Sequence, residues 1–213
     1  MLIRCEGLLP HFLKDQSAHE GDIWNRNFIF ESKKSYLVRS ASGRGKSTLL
    51  GIIFGVRDKF QGEVFFDESN IKKYSLSEWS GLRCEKISLL FQELRLFENL
   101  TVRENMIVKI KTQSQFSISD SIGFLEQLEM DTFIDRPCKT LSFGQQQRVA
   151  IVRSLLQPFE CLMMDEPFSH LDEGNTQRAM QLILSQCADQ GASLIVSSLG
   201  SEHGHKFDLL YNL

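Results

Sequence analysis

The sequence of 213 residues lacks the features that mark membrane-spanning, secreted and nucleic-acid-binding proteins. No apolar run approaches the ~20 residues that cross a bilayer, so we expect no transmembrane helix. The first residues lack the charged region and long apolar region of a secretory signal, so we expect no such signal. With 24 basic and 27 acidic residues, the charge balance gives no support for nucleic-acid binding, which usually shows a basic stripe.

Cysteine, proline and two aromatic residue types are also sparse. The five cysteines are scattered without a C-x-x-C pair or a Cys/His cluster, so we expect reduced thiols in the core and no zinc site. Four prolines and 14 glycines form no linker, and we predict one domain over residues 1–213. Phenylalanine is abundant, with 16 residues against three tyrosines and two tryptophans. The cysteines are Cys5, Cys84, Cys138, Cys161 and Cys187.

Apolar segments of two kinds alternate along the chain. Short β-rich segments fill residues 1–39, and buried strands then alternate with helical patterns, which indicates an α/β fold whose parallel sheet is covered on both faces. Helical periodicity in the middle of the chain predicts an inserted helical subdomain at about 95–140. The predicted strands are 3–5, 23–31, 35–39, 62–67, 86–91, 160–164 and 193–198; the predicted helices lie within 105–136, 145–156 and 175–188.

A glycine-rich turn follows a predicted strand and opens a predicted helix. It matches the phosphate-loop pattern G-x-x-x-x-G-K-[ST], except that Ser40 replaces the first glycine. Gly43 and Gly45 permit the tight backbone in which successive N–H groups face one anion. Lys46 would reach the β- and γ-phosphates, and the Ser47 hydroxyl would ligate Mg²⁺. The predicted phosphate-binding residues are Ser40, Ala41, Ser42, Gly43, Arg44, Gly45, Lys46, Ser47 and Thr48.

Two carboxylates end a second buried strand. Asp165 and Glu166 follow the apolar segment CLMM, at the strand end where open α/β sheets bind ligands. Asp165 is predicted to hold Mg²⁺, and Glu166 to polarise an attacking water as the general base. A solvated strand-to-loop turn is the alternative for this segment alone, and the phosphate loop weighs against it.

A third segment carries a family resemblance. Residues 140–150, TLSFGQQQRVA, resemble the LSGGQ signature of ABC ATPases and the helix that follows it. Gln92 resembles that family's Q-loop glutamine, and residues 169–172 resemble its D-loop. The resemblance covers essentially the whole chain. The segment FQELRLFENLTVREN is similar to the subgroup that serves lipoprotein release, macrolide export and cell-division permeases.

The resemblance implies a fold and a mechanism. The fold would be a P-loop NTPase of ABC type, with a mixed N-terminal β-subdomain, a parallel-sheet core and an inserted α-helical subdomain. Two copies would pair head to tail and sandwich two ATP molecules with Mg²⁺. Hydrolysis would use Glu166, Lys46 and Gln92, and the metal would be held by Ser47, Gln92 and Asp165. The residues that face the partner copy's nucleotide would be Ser142, Phe143, Gly144 and Gln145.

The resemblance also implies a place of action. Dimer closure would pull on a transmembrane permease through the Gln92 region, at the cytoplasmic face of the membrane. No nucleic-acid partner is expected, because only residues 47–141 separate the phosphate loop from the signature and leave no room for a long coiled coil. A weakly hydrolysing, nucleotide-dependent scaffold is the main alternative to a motor subunit.

The chain departs from the family pattern at three places. Ser40 replaces a glycine, Phe143 stands at a signature position that is usually glycine, and no histidine follows the last core strand directly. His203 and His205 come shortly after it, as substitutes or as surface residues, so we expect slow or partner-dependent ATP hydrolysis.

The positions of several phenylalanines in the chain suggest roles for them. Phe12, upstream of the phosphate loop, is predicted either to stack on adenine or to lie in the N-terminal core. Phe97 is predicted to lie buried in the helical insertion, with exposure for permease docking as the alternative. Phe116 is a further candidate interface residue in that insertion, while Phe54, Phe65 and Phe91 are predicted in core elements.

Overall fold

The chain folds into two β-sheets with helices packed against them. The computed structural model describes residues 1–13, 21–112, 115–200 and 202–213. Its strands are β1 (Ile3–Pro10), β2 (Phe28–Phe30), β3 (Ser35–Arg39), β4 (Phe60–Phe66), β5 (Ser69–Asn70), β6 (Ile87–Leu90), β7 (Cys161–Asp165), β8 (Ser193–Ser198) and β9 (Leu209–Asn212). Its helices are α1 (Lys46–Ile53), α2 (Leu76–Glu85), α3 (Val102–Ile110), α4 (Ile118–Gln127), α5 (Phe143–Leu155) and α6 (Glu173–Gln190).

The N-terminal sheet is antiparallel, in the order β2-β1-β4-β5. In its centre, Ile3 of β1 pairs with Phe30 on one side and with Phe66 on the other. The inner residues of this sheet pack with helix α1 in a core that includes Leu8, Leu50 and residues of its three longer strands. This sheet is the predicted N-terminal β-subdomain.

The second sheet is parallel, in the order β6-β7-β8-β3-β9. Every residue of β7 and β8 is buried, because helices cover both faces of the central strands. Asp165 pairs in register with Ser197, and Arg39 with Ser198, so the carboxyl ends of β3, β7 and β8 meet at one edge. The predicted parallel-sheet core is confirmed.

The helical subdomain lies between β6 and α5. The predicted helical stretch 105–136 consists of α3, α4 and a short 3₁₀ turn, and α4 packs against α3, α5 and α6. Capping boxes start α3 at Thr101 and α4 at Ser117, which explains why one apolar pattern became two helices. On the predicted apolar face of α4, two residues are fully buried and two are half-buried: Leu125, Leu128, Ile118 and Ile122.

Some predicted elements differ in extent. The strand predicted over 23–31 is limited to Phe28–Phe30, because residues 21–26 form turns. Strand β9 was not predicted; it is short and gains its hydrogen bonds by lying beside β3. The cysteines are free thiols, four of them buried and Cys84 half-buried, as expected. Among the described residues, no helix has the length and apolarity needed to cross a bilayer.

Candidate functional site

The turn between β3 and α1 has the backbone of a phosphate-binding loop. Gly43 and Gly45 adopt left-handed φ angles of 78° and 98°, which only glycine takes without strain. Gly45 is also confined, because a Cβ at this position would lie 2.9 Å from the Trp24 ring. The Trp24 indole N–H donates to the Arg44 carbonyl at 3.1 Å and so joins the loop to the segment that precedes β2. Sequence reasoning missed Trp24, since its contact joins residues twenty positions apart, with β2 and β3 between them.

Ser40 fits the position where the phosphate-loop pattern has its first glycine. Its φ lies outside the left-handed region, so a side chain causes no backbone strain there. The Ser40 N–H donates to the Ser198 carbonyl at 3.3 Å, and its hydroxyl donates to the Ala41 carbonyl at 3.1 Å. The loop is therefore joined directly to the end of β8.

Lys46 lies between the loop and the acidic end of β7. Its side chain is only 5% exposed, and Nζ donates to the carbonyls of Ser40 at 2.9 Å and Ala41 at 3.3 Å. Nζ also lies 3.4 Å from Glu166 Oε1. The structure thus brings together two residues predicted to be catalytic. The ammonium lies at the start of a helix whose free N–H groups favour an anion.

Asp165 and Glu166 are held in different ways. Asp165 is buried, and its Oδ1 accepts a hydrogen bond from Ser197 Oγ at 2.5 Å. Burial raises the pKa of Asp165, and hydrogen bonds from Ser197 and Ser47 offset only part of that rise. Glu166 has a left-handed φ of 50°, a strained conformation for a non-glycine residue that concentrates at functional sites. Its N–H donates to Ser197 Oγ at 3.1 Å.

The predicted magnesium ligands also converge. Ser47 Oγ donates to Gln92 Oε1 at 3.5 Å, and both residues line a small cavity with Asp165. A hydroxyl, an amide oxygen and a carboxylate are the hard oxygen donors that Mg²⁺ prefers. A buried carboxylate with a raised pKa is a further reason why a cation fits here, because positive charge would stabilise its ionised form.

The signature segment starts helix α5 and packs against residues 166–170. Ser142 caps the helix in a capping box with Gln145, and a Cβ at Gly144 would lie 2.8 Å from the His170 carbonyl. The Phe143 ring, 46% exposed, contacts the His170 ring with centroids 4.2 Å apart. The unexpected phenylalanine therefore rests partly on its own chain.

Gln147 connects this helix to the acidic strand end, and sequence reasoning did not identify it. Its amide donates to the Glu166 carbonyl at 3.1 Å and accepts from the His170 N–H at 3.1 Å. Its position in the QQRVA segment was the available signal. Hydrogen bonds of Gln147 thus join the signature helix to the backbone of Glu166 and His170.

The two histidines after β8 lie in different surroundings. His203 Nε2 lies 3.1 Å from Ser198 Oγ, and the ring contacts Phe168 with centroids 4.8 Å apart. His205 instead packs against Phe207 and lines a cavity with Lys33. Burial lowers the pKa of both imidazoles. Of the two, His203 is the one joined to the end of β8 next to the phosphate loop.

Several phenylalanines differ in exposure from what the sequence predicted. Phe12 is 57% exposed and lines a cavity with Thr48, so the prediction of a core position for it is wrong. Phe97 is 51% exposed, and its predicted burial is also wrong, because its ring lies at the rim of a groove rather than inside the insertion. Phe116 packs with Phe124. The core predictions hold only in part, since three rings are half-buried: Phe54, Phe65 and Phe91.

A glycine-rich loop follows β3 at a helix start, and a buried Asp and a half-buried Glu lie at the end of β7, which β8 separates from β3. This arrangement defines a nucleotide-binding site of the P-loop type. The family model described as ABC transporter matches residues 24–169. The chain belongs to the ABC transporter family and is an ATP-binding cassette of it.

Curated relatives carry different transport names. The aliphatic sulfonates import ATP-binding protein SsuB of Bacillus cereus (strain ATCC 10987 / NRS 248) is 34% identical over 87% of this chain and 70% of its own length. The lipoprotein-releasing system ATP-binding protein LolD of Rickettsia typhi is 35% identical over 81% of this chain and 77% of its own length. With further sulfonate import proteins of Bacillus, the match spans 61% of the relative's length.

Solved cassettes show the same fold. The dimeric structure of MJ0796, a bacterial ABC transporter cassette, has a TM-score of 0.84 over 99% of this chain and 94% of that chain, at 24% identity. A dimeric post-hydrolysis state of MJ0796 bound to ADP and Pi has a TM-score of 0.79 at 25% identity, over 93% of this chain and 88% of that one. The predicted ABC architecture, with its helical insertion, is confirmed.

Proposed function

We propose that this chain binds ATP with Mg²⁺ and hydrolyses it as the motor subunit of an ABC transporter. The observation that carries the proposal is the arrangement of Lys46, Asp165 and Glu166 around one strand edge, with Lys46 Nζ 3.4 Å from Glu166 Oε1. A phosphate chain bound in the loop would meet the N-terminus of α1 and the Lys46 ammonium, which neutralise its charge.

Each residue of the strand edge has a separate task in this proposal. Glu166 accepts the proton of the attacking water, and its backbone N–H, held by Ser197, fixes the position of the side chain. Ser47, Gln92 and Asp165 would hold Mg²⁺, which supplies charge stabilisation to the transferring phosphoryl group. Phe12 would stack on the base, since its exposed ring lines the cavity next to Thr48.

Dimerisation completes the proposed site. Two copies would pair head to tail, so that residues 142–145 of one copy face the nucleotide of the other, with two ATP molecules sandwiched between them. The capped start of α5 supports this role, because its N-terminus is positive and Gln147 ties it to Glu166. The dimer would act on a permease from the cytoplasmic face of the membrane.

The proposed type of transport is inferred from one segment of the sequence. The likeness of residues 91–105 to the lipoprotein-release and macrolide-export subgroup favours export, lipid extraction or mechanical signalling. The relatives include import proteins and a lipoprotein-releasing protein at similar identity, and their names favour no single transported substrate.

Replacing Glu166 by glutamine tests the hydrolysis step. We expect phosphate release with Mg-ATP, measured with the permease present, to fall by about 100-fold or more, since general-base catalysis contributes about 10²–10⁴. The Glu166→Gln chain should also double its mass by light scattering when ATP is added, because it retains the bound nucleotide. Equal phosphate release by both chains would reject the hydrolysis proposal.

The absence of a histidine directly after β8 favours one second candidate function, a nucleotide-dependent scaffold. A scaffold would bind ATP and dimerise, but wild type and Glu166→Gln would both release phosphate at the background rate. The same assay therefore separates the two functions.

A further inference from the structure

Gln147 of α5 is a buried polar residue, only 2% exposed, that the proposed hydrolysis does not use. Its amide nitrogen donates to the Glu166 carbonyl at 3.1 Å and to Ser169 Oγ at 3.4 Å, and its amide oxygen accepts from the His170 N–H at 3.1 Å. The opposite orientation of the amide would place an oxygen against a carbonyl and a nitrogen against an N–H. The amide therefore matches the turn that follows β7.

The backbone of Glu166 needs support, because its φ of 50° lies in the left-handed region. A residue with a Cβ is crowded in that region, and a glutamate has no local hydrogen bond of its own that would relieve the crowding. Such conformations persist where the surrounding structure over-determines them. The hydrogen bonds around Glu166 therefore keep its backbone, and with it the start of its side chain, in place.

Hydrogen bonds hold the Glu166 backbone from two sides. On the side of the sheet, its N–H lies 3.1 Å from Ser197 Oγ and 3.3 Å from the Ser197 carbonyl. On the side of α5, its carbonyl accepts from Gln147 at 3.1 Å and from the Ser169 N–H at 3.4 Å. The bond from Ser169 is longer than the usual N–H···O range, so Gln147 gives the stronger hold on this carbonyl.

The direction of the Glu166 carbonyl has a consequence for the carboxylate. It sets ψ of Glu166, and φ and ψ together decide which side-chain rotamers are allowed. In the present rotamer, Glu166 Oε1 lies 3.4 Å from Lys46 Nζ, beside the loop that would hold the phosphate chain. A general base acts within hydrogen-bond reach of the proton that it takes, and a displacement of about 1 Å can cost about 100-fold in rate.

The neighbouring Gln146 has the same side chain with a different attachment. Its amide nitrogen donates to the carbonyls of Cys138 and Leu141 at 3.1 and 3.2 Å, so it ties α5 to the segment that precedes the helix. Both glutamines thus bond backbone groups outside their own helix, and of the two it is Gln147 that reaches Glu166. Gln146 therefore serves as an internal control for Gln147.

We infer that Gln147 is a positioning residue for hydrolysis: its amide holds the Glu166 carbonyl, and through it the carboxylate, where the attacking water gives up its proton. The inference rests on the proposed function, because that function makes Glu166 the general base. It adds a residue that acts through Glu166 and touches neither the nucleotide nor the metal of the proposed site. A residue of this kind sets the rate of hydrolysis and leaves the affinity for ATP unchanged.

Gln147→Met tests the inference, because methionine is similar in length but has no group that donates a hydrogen bond to the Glu166 carbonyl. We expect kcat for ATP hydrolysis, measured under the conditions used for Glu166→Gln, to fall at least tenfold. The dissociation constant for ATP, measured by calorimetric titration, should stay within twofold of the wild type. Gln146→Met is the matched control, since it also removes side-chain hydrogen bonds of α5, and its kcat should stay within twofold of the wild type.

The results separate this inference from the proposed function. A wild-type chain that releases phosphate no faster than Glu166→Gln would reject the proposed function, and the inference with it. A wild-type chain that hydrolyses ATP, together with a smaller than tenfold loss in Gln147→Met, would overturn the inference alone. An equal loss in Gln146→Met, or a loss of ATP affinity in Gln147→Met, would also overturn it, because the defect would then lie in the helix or in binding.

A double variant shows whether Gln147 acts through Glu166. The Glu166→Gln chain has no carboxylate to position, so adding Gln147→Met should change its slow single-turnover phosphate release less than twofold. A larger fall would show that Gln147 serves another group and would overturn the inference. Circular dichroism checks that each chain folds. Gln147→Asn, which withdraws the amide by one methylene and keeps its polarity, gives a second chain in which the same loss of kcat is expected.

Discussion

The edge of the parallel sheet and a groove between α3 and β6, here called the α3 groove, are both built around cationic side chains, but the charge is balanced differently in the two places. The groove is lined by Arg83, Arg95, Lys109 and Arg153 and by no Asp or Glu of the described residues. At the sheet edge, Lys46 has Glu166 and two loop carbonyls as partners. In the groove, Lys109 and Arg153 have only neutral partners among the described residues. The first region has its own counter-charge, whereas the second lacks one.

This difference in counter-charge has consequences for the stability of the free chain. A site that must bind and release an anion many times benefits from an internal carboxylate, because Lys46 then remains neutralised when the nucleotide leaves. In the α3 groove, the cations have no such counter-charge among the described residues. Burial of unpaired charge lowers the stability of the free chain and makes association more favourable.

The largest effect is expected at the sheet edge, from Lys46→Met. Nucleotide affinity should fall by about 100-fold, since truncating one partner of a buried charge pair costs about 2–5 kcal/mol. The phosphate chain would then face Glu166 without the intervening ammonium. Calorimetric titration with ATP measures the loss; an affinity within threefold of wild type would contradict the assigned role.

Asp165→Asn should separate stability from function at the same edge. Burial raises the pKa of Asp165, so the free fold favours the protonated carboxyl over the ionised one. The stabilisation that the protonated carboxyl gives is lost as the pH rises through this raised pKa. The neutral amide should therefore raise the melting temperature of the nucleotide-free chain at pH 7 by about 2–4 °C, equivalent to about 1 kcal/mol.

Mg²⁺ supplies the second readout for Asp165→Asn. The increase in ATP affinity that Mg²⁺ gives to the wild type should be lost in the variant, because a ligand oxygen has lost its charge. A variant that keeps this increase, measured by titration with and without Mg²⁺, would show that Asp165 does not serve the metal.

The smallest effect is expected in the groove, from Lys109→Met. Removing an unpaired cation should raise the free energy of unfolding at pH 7 by about 1 kcal/mol, the opposite of a loss at a paired site. The pKa of Lys109 is lowered to about 8, so its charge penalises the fold fully below pH 8. As the pH rises from 8 to 10 the penalty disappears, and the advantage of the variant should disappear with it.

Urea unfolding at several pH values measures this advantage, with Lys111→Met as the matched control. Both variants retain Arg153, Arg83, Arg95 and Cys84, the ionisable groups around Lys109, so the contribution of these groups cancels in the difference. A pH-independent difference between the variants would show that Lys109 carries no uncompensated charge.

Local sequence rules predicted the site elements well and their surroundings poorly. The phosphate loop was readable because Gly43 and Gly45 must adopt left-handed angles and because Lys46 opens a helix. The burial predicted for Phe97 was wrong, because the exposure of a ring near a loop depends on elements that are distant in the sequence. Gln147 and Trp24 were missed for the same reason, since their hydrogen bonds reach residues about twenty positions away.

The sequence by itself determined the family and the parallel core and supplied the candidate catalytic residues, since these depend on short motifs and on the period of apolar residues. Only the tertiary structure decided which charges meet. Glu166 reaches Lys46 because β7 and β3 end at the same sheet edge, while the cations of the α3 groove come together from α2, α3 and α5 without a carboxylate. Charge pairing depends on distances between elements far apart in the chain, and the packing of sheet and helices sets those distances.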